Sequence, residues 1–367
     1  MKGLQFVAIS ALLLLSCGRS NLPAQLDSNA SPASSPSASS RAMLTPGPCP
    51  LSASDGVLVG NGHVQIIDMC GQVRASASIS APSLQQCARG GLDAVLATPV
   101  STTNDLVFYR DGDTKVRSLT RDGQTAEVTT VPGGSSTVSF FSVSPDDQRI
   151  AVLVEDFSSD YTIGLKLYVE DLQGGTHHDD IYATTTRKGE SGRTLWPIGW
   201  HQGMLVLVVF ASCTLGKASL DWVRPLGIHV VDPLTGSRRA QMGNERCEPS
   251  RWPSQAGVAC VDIPSTGASV FDWKGKLIRA IPSSPDEGMS SLSPSGKNIL
   301  FDGGPTQFPF THAVGDEVEA HVAGHAGCFW LDEHHIFAPD AILTVPTGVV
   351  TSFVTSGECA GRIPGGL

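Results

Sequence analysis

The sequence has no excess of basic side chains, and only 16% of its 367 residues are charged. It contains 25 Lys and Arg against 35 Asp and Glu, which gives a formal net charge of −10. Proteins that bind nucleic acid present a basic face. We therefore expect no nucleic-acid partner, and no adhesion to anionic lipid through charge.

Several sequence motifs of catalysis and cofactor binding are also missing. No G-x-S-x-G nucleophile elbow, H-E-x-x-H zinc motif or Gly-Lys-Ser/Thr phosphate loop occurs. His177 and His178 precede two aspartates, but adjacent side chains in a predicted loop point apart, so a solvated loop is the better interpretation. We predict no catalytic residue, no metal ligand and no cofactor, although paired carboxylates in a channel would escape this search.

No apolar run is long enough to cross a bilayer, which takes roughly 20 helical residues. The run at residues 4–15 follows Lys2 and suits the apolar region of a secretory signal instead. Leu14, Leu15, Ser16 and Cys17 follow at its end and resemble the lipobox of bacterial lipoproteins. The resemblance implies that residues 1–16 are a signal peptide and that Cys17 carries a diacylglycerol and further acyl chains.

The segment at residues 17–48 is rich in Ser, Ala and Pro and contains no aromatic residue. Such a composition buries too little apolar surface to offset the entropy of ordering the chain. We predict a disordered tether that holds a globular body at residues 49–367 away from a membrane surface.

Eight cysteines remain once Cys17 is set aside, and none of them forms a C-x-x-C pair. An even number in an exported chain predicts disulfides rather than a zinc ribbon or a thioredoxin-like site. An alternative is that some of them are reduced and buried.

The body repeats a short pattern. Ser-Pro, a polar turn and an apolar strand occur in "SVSPDDQRIAVLVED" from Ser142 and in "SLSPSGKNILFDGG" from Ser291. Five weaker copies fit the same frame, and in three of them Trp200, Trp252 and Trp330 stand near the place of the Ser-Pro. A second strand and a short alternating stretch follow most copies, so each unit has room for four strands.

Seven such units over residues 49–367 resemble TolB-like and WD-type β-propellers. The resemblance implies an all-β, seven-bladed propeller, with six or eight blades or a pair of β-sandwiches as alternatives. Because the two ends of a ring must meet, we expect a disulfide at the seam, either Cys49–Cys359 or Cys328–Cys359.

Three long loops between the second and third strands of their units carry the residue types that dominate binding surfaces. The candidate binding residues are Tyr161, Trp222, Arg224, Phe308 and Phe310. Alternatively, Trp222 and the two phenylalanines pack under their own loops and only stabilise them.

Together these features predict a monomeric propeller that its lipid anchors to a bacterial membrane, in the outer membrane or at the periplasmic face. We expect a non-enzymatic binding or scaffold module for an envelope protein or a cell-wall polysaccharide. One alternative is a hydrolase or lyase acting on a glycan or peptide in the channel, and another is a purely structural lipoprotein.

Overall fold

The computed structural model describes residues 54–84, 86–89, 92–95, 98–212, 225–244, 247–262, 267–282, 288–303, 310–315 and 319–367. These belong to the compact unit Pro48–Leu367. The predicted signal peptide, Cys17, the tether and Cys49 lie outside the described residues.

The described chain is built from β-strands and contains no helix. Seven four-stranded antiparallel sheets follow one another as the blades of a propeller, which confirms the predicted fold and blade count. Within the described residues, no helix is therefore long and apolar enough to span a bilayer.

Each blade is a sheet whose strands run from an innermost to an outermost position, and they are named in that order. Blade 1 contains β30 (Glu358–Ile363), β1 (Asp55–Gly60), β2 (His63–Ile67) and β3 (Val73–Ser78). Blade 2 contains β6 (Val100–Thr102), β7 (Leu106–Asp111), β8 (Lys115–Thr120) and β9 (Thr125–Thr130). Blade 3 contains β10 (Thr137–Val143), β11 (Arg149–Asp156), β12 (Thr162–Asp171) and β13 (His178–Arg187). Blade 4 contains β14 (Gly189–His201), β15 (Met204–Ser212), β16 (Gly227–Val231) and β17 (Arg238–Met242).

Blades 5, 6 and 7 complete the ring. Blade 5 contains β18 (Cys247–Pro249), β19 (Val258–Asp262), β20 (Gly267–Phe271) and β21 (Leu277–Pro282). Blade 6 contains β22 (Gly288–Leu292), β23 (Asn298–Gly303), β24 (Phe310–Gly315) and β25 (Glu319–Ala323). Blade 7 contains β26 (Phe329–Trp330), β27 (His335–Phe337), β28 (Ala341–Thr344) and β29 (Val349–Ser352). A separate hairpin of β4 (Gln86–Arg89) and β5 (Leu92–Val95) lies between blades 1 and 2 in the chain.

The two good copies of the sequence repeat form the same turn. Ser144 donates its backbone N–H to the Arg149 carbonyl at 2.9 Å, and Ser293 donates to the Asn298 carbonyl at the same distance. Asp147 and Gly296 occupy corresponding positions with positive φ of 57° and 75°. A short turn with a left-handed residue favours Gly or Asp there, which explains the polar residues of the repeat.

The second strand of each blade is apolar on both faces, rather than on one face as a lone blade would suggest. In β11, Ile150 and Val152 pack toward blade 2, whereas Ala151 and Leu153 pack toward blade 4. A strand buried on both sides gives a nearly continuous apolar run, in this case "IAVLV".

Seven clusters of buried apolar side chains occupy the described interfaces, one between each pair of neighbouring blades. The cluster between blades 7 and 1 is equivalent to the other six, so the ring is closed. Burial of these interfaces is the main source of stability in such a stack.

The ring closes through β30, which follows blade 7 in the chain and pairs with β1 of blade 1. Cys359 of β30 is bonded to Cys328, which immediately precedes β26, with the sulfur atoms 2.01 Å apart. The seam therefore has one of the two disulfides expected from the sequence, and the Cys49–Cys359 alternative is wrong. A second disulfide joins Cys247 and Cys260 within blade 5.

Candidate functional site

The three long loops lie between the second and third strands of blades 3, 4 and 6, as predicted from the sequence. Tyr161 ends the first loop, and its side chain is 82% exposed. Phe310 begins β24, where its backbone pairs with Gly303 and Ala323, and its side chain is outside the described part of the structure. Trp222, Arg224 and Phe308 lie outside the described residues.

The structure does not bring Tyr161 and Phe310 together, because blades 3 and 6 are not neighbours in the ring of seven. Loops between the second and third strands leave the same ring face as the links between blades. Because three of the five candidate residues lie outside the described residues, a binding face made by the long loops stays a prediction.

A cavity of about 130 Å³ lies at the centre of the ring and was not identified from the sequence. Its described walls come from the inner-strand regions of all seven blades. Concave, mostly apolar sites with a few polar groups are the usual form of a ligand site. The central cavity is therefore the candidate functional site.

Aromatic side chains line opposite parts of the cavity. Phe140 of blade 3 stacks on Trp196 of blade 4, with ring centroids 4.1 Å apart. Trp252, which precedes β19 in blade 5, packs against Phe329 of blade 7 with centroids 4.9 Å apart. Such pairs give the cavity apolar aromatic walls.

Arg251 and Arg362 are the ionisable side chains of the described lining, and both are cationic. Arg362 lies in β30 and donates from Nη1 to the Trp330 carbonyl at 2.9 Å. Burial lowers the pKa of Arg362, although Glu333 and Asp332 act in the opposite direction. The described lining thus carries two guanidinium groups and no acidic side chain, in a chain whose net charge is −10.

Residues 365–367, which we call the strap, cross the rim of the cavity. Gly365 donates its backbone N–H to the Thr103 carbonyl of blade 2 at 2.6 Å. Leu367 donates to the Trp200 carbonyl at 3.2 Å, and its own carbonyl oxygen lies 2.8 Å from His201 Nδ1. The strap connects β30 to blades 2 and 4 and forms part of the cavity wall.

Three of the aromatic residues had a sequence signal, because Trp200, Trp252 and Trp330 occupy the same frame of the repeat. The Trp200 indole donates to the Ser142 carbonyl at 3.2 Å. The Trp330 indole N–H is buried and has no acceptor in the described part of the chain. Trp200 and Trp330 thus lie at the interface with the preceding blade, whereas Trp252 packs against Phe329 of blade 7.

A buried carboxyl group supports one wall from behind. Glu155, at the end of β11, is only 2% exposed and accepts hydrogen bonds from Thr194 Oγ1 and from Trp196 Nε1, the latter at 3.1 Å. Burial raises the pKa of Glu155. Burial also raises the pKa of Tyr182, with the Glu155 charge as a second cause. Glu155 therefore fixes the orientation of Trp196 without lining the cavity itself.

Histidines and acidic residues cluster outside the cavity as well. His178 lies 3.0 Å from Glu170 and 3.1 Å from Asp180, both measured to carboxylate oxygens. Over the described ranges, no group of three or more His, Cys, Asp or Glu side chains has the geometry to hold a metal ion.

Comparison with known proteins finds only remote structural likenesses. No protein-family model matches the chain, and no curated protein matches it in sequence. A functionally unknown protein from Desulfotomaculum acetoxidans is 12% identical with a TM-score of 0.44, over 83% of this chain and 98% of that one. A protein of unknown function from Bacteroides caccae is 11% identical with a TM-score of 0.37, over 74% of this chain and 90% of that one.

TolB from Acinetobacter baumannii is 15% identical with a TM-score of 0.40. The match covers 76% of this chain and 66% of that one, so the chain spans just under two thirds of TolB. At such identities and TM-scores, these likenesses carry no argument about function.

Proposed function

We propose that the protein is a non-enzymatic binding module of a bacterial envelope that receives its ligand or partner in the central cavity. The carrying observation is the cavity itself, which combines stacked aromatic walls with Arg251 and Arg362. Aromatic and arginine side chains dominate binding energies in proteins. A closed ring of seven blades supplies the rigid support that such a site needs.

The proposed location at a membrane depends on the lipobox-like residues that end at Cys17. Two acyl chains would anchor the chain stably, since each buried CH₂ contributes about 0.8 kcal/mol. The Cys17→Ser variant should leave the membrane fraction and lack the acyl mass in intact-protein mass spectrometry. A variant that stays in the membrane fraction would contradict the lipid anchor and leave the cavity proposal untouched.

The binding role is tested by capture from solubilised envelope. The full chain, purified in detergent, is compared with Arg362→Gln in the cavity and with Trp222→Ala/Phe310→Ala on the long-loop face. We expect the parent and the loop variant to retain the same envelope protein or polysaccharide, and Arg362→Gln to lose it. Arg239→Gln is the matched control, because Arg239 pairs with Asp232 on an outer strand.

Other outcomes have definite meanings. Loss of capture only in the Trp222→Ala/Phe310→Ala variant would move the site to the long-loop face. No retention by the parent, or turnover of an envelope glycan or peptide by the parent, would contradict a non-enzymatic binding module.

A further inference from the structure

Arg362 has binding capacity that the protein does not use. A guanidinium has five N–H donors in a planar fork. Among the described residues, Arg362 makes one hydrogen bond, to the Trp330 carbonyl, and no ion pair. Since Arg362 lines the cavity, the rest of the fork is available to an acceptor there.

The two acidic residues closest in charge to Arg362 are occupied elsewhere. Glu333 accepts hydrogen bonds from the Ser295 backbone N–H at 2.6 Å and from the Ser295 hydroxyl at 2.9 Å. Asp332 contacts His335 Nδ1 at 2.9 Å. Both weaken the effect of burial on the Arg362 pKa, but neither lies within ion-pair distance of it. Among the described residues, Arg362 thus has no acidic side chain within ion-pair distance.

The size and shape of the cavity restrict what can supply that charge. An apolar cavity of about 150 Å³ holds benzene, and this one measures about 130 Å³. The stacked Phe140–Trp196 pair and the tilted Trp252–Phe329 pair offer apolar aromatic surfaces to a ring. A carboxylate matches the planar fork of arginine through two parallel hydrogen bonds.

We infer that the central cavity binds a small carboxylic acid built on a single apolar ring, with its carboxylate on Arg362 and its ring against the aromatic walls. This inference rests on the proposed function, because it names the ligand class of the same site. Arg251 is a second guanidinium on the same lining.

Phenylacetate is the probe, and two related compounds separate its charge from its ring. Phenylacetamide keeps the ring and loses the charge, whereas acetate keeps the charge and loses the ring. Four of the six tryptophans line the cavity, so intrinsic fluorescence of the full chain reports binding directly. Isothermal titration provides the dissociation constants. We expect phenylacetate to bind at least about 10-fold more tightly than phenylacetamide, since a hydrogen bond to a charged group contributes about that factor or more. We expect a similar advantage over acetate, since burial of the apolar ring contributes about 10-fold or more.

Variants of Arg362 then test whether this residue binds the carboxylate of phenylacetate. Arg362→Gln should weaken phenylacetate binding about 10- to 100-fold and leave phenylacetamide binding nearly unchanged. Arg362→Lys keeps the charge without the planar fork and should give an intermediate loss. Arg239→Gln, on an outer strand, should bind like the parent. If Arg362→Gln fails to fold, Arg362→Lys and the acid–amide comparison in the parent decide the question.

Three results would overturn the inference. These are equal affinity for phenylacetate and phenylacetamide, equal affinity for phenylacetate and acetate, or an unchanged affinity in Arg362→Gln. If phenylacetate does not bind while envelope capture still depends on Arg362, the ligand class is wrong and the proposed function stands. If capture also fails, both are wrong.

Discussion

At the scale of single residues, two buried carboxyl groups, Asp55 and Glu155, have different surroundings. Asp55 is fully buried in β1 and pairs with Arg74 at 3.3 Å and with Arg121 at 3.0 Å. Arg121 also donates to the Ile363 carbonyl at 3.0 Å. One carboxylate thereby connects blade 1, blade 2 and the closing strand β30. Glu155, by contrast, is buried with neutral donors and lacks such cationic partners.

Burial raises the pKa of Asp55, although Arg121 and Arg74 act in the opposite direction. Replacing Asp55 by Asn should therefore destabilise the protein by only about 1–2 kcal/mol, since it leaves two arginines without their shared carboxylate but removes a buried charge. The loss stays below that of a fully buried pair because both guanidinium groups are about one quarter exposed. Chemical denaturation measures the free energy of unfolding. Glu127→Gln is the control, because the Lys115–Glu127 pair is half exposed and should contribute less than about 1 kcal/mol.

Replacing Glu155 by Gln should stabilise the protein at neutral pH by about 1–3 kcal/mol, because the variant no longer buries a charge. The pKa of Glu155 is raised in the folded state. The carboxyl group therefore makes its full contribution to the parent's stability below the unfolded-state pKa. That contribution is lost as the pH rises through the folded-state pKa. The difference between parent and variant should therefore vanish at acidic pH. Unfolding free energies measured from pH 4 to pH 8 test this, and a difference that does not change with pH would contradict it.

At the scale of strands and loops, two disulfides and the strap connect separate parts of the ring. The Cys328–Cys359 disulfide joins the start of blade 7 to the closing strand, and the two cysteines are 31 residues apart in sequence. The Cys247–Cys260 disulfide joins two adjacent strands of one blade, 13 residues apart. The strap adds a non-covalent connection from β30 to blades 2 and 4.

Removing the seam disulfide by Cys328→Ser/Cys359→Ser should destabilise the protein by about 3–4 kcal/mol, the scale expected for a loop of this length. Cys247→Ser/Cys260→Ser is the matched comparison and should lose less, since its loop is shorter and its strands pair in any case. Thermal unfolding under oxidising conditions measures both. Equal losses would show that the seam disulfide has no particular part in ring closure.

Gly365→Ala should displace the strap, because a Cβ at that position would lie 2.2 Å from the Thr102 carbonyl oxygen. We expect acrylamide to quench tryptophan fluorescence more strongly, since the cavity walls become accessible. Gly164→Ala is the control, because its Cβ would meet its nearest neighbour at an ordinary 3.5 Å. Identical quenching in both variants would show that the strap does not restrict access to the cavity.

The elements were largely predictable, because propeller turns and strands are local. The Ser-Pro turns at Ser144 and Ser293 recur with the same hydrogen bonds, and their strands follow directly. The closing role of β30 was not predictable in detail, since "ECAGRI" resembles any short strand until its partner β1 is known. The hairpin of β4 and β5 likewise falls outside the repeat.

At the scale of the whole molecule, the central cavity forms because the seven blades close into a ring. Phe140, Trp196, Trp252, Phe329 and Arg362 are distant in sequence and meet only because seven inner strands converge on one axis. The sequence frame aligned the tryptophans but could not reveal that they surround a cavity with Arg362. The long loops can be recognised in the sequence, and the sequence therefore predicts the binding face there.

Hydrogen–deuterium exchange with mass spectrometry tests the central claim most directly. The full chain is measured alone and with the envelope component retained in the capture experiment. A ligand in the cavity predicts slower exchange in the inner strands β10, β14 and β30, and little change at residues 157–161, 213–226 and 304–309. Slower exchange confined to those three loops, with inner strands unchanged, would contradict the central cavity as the binding site.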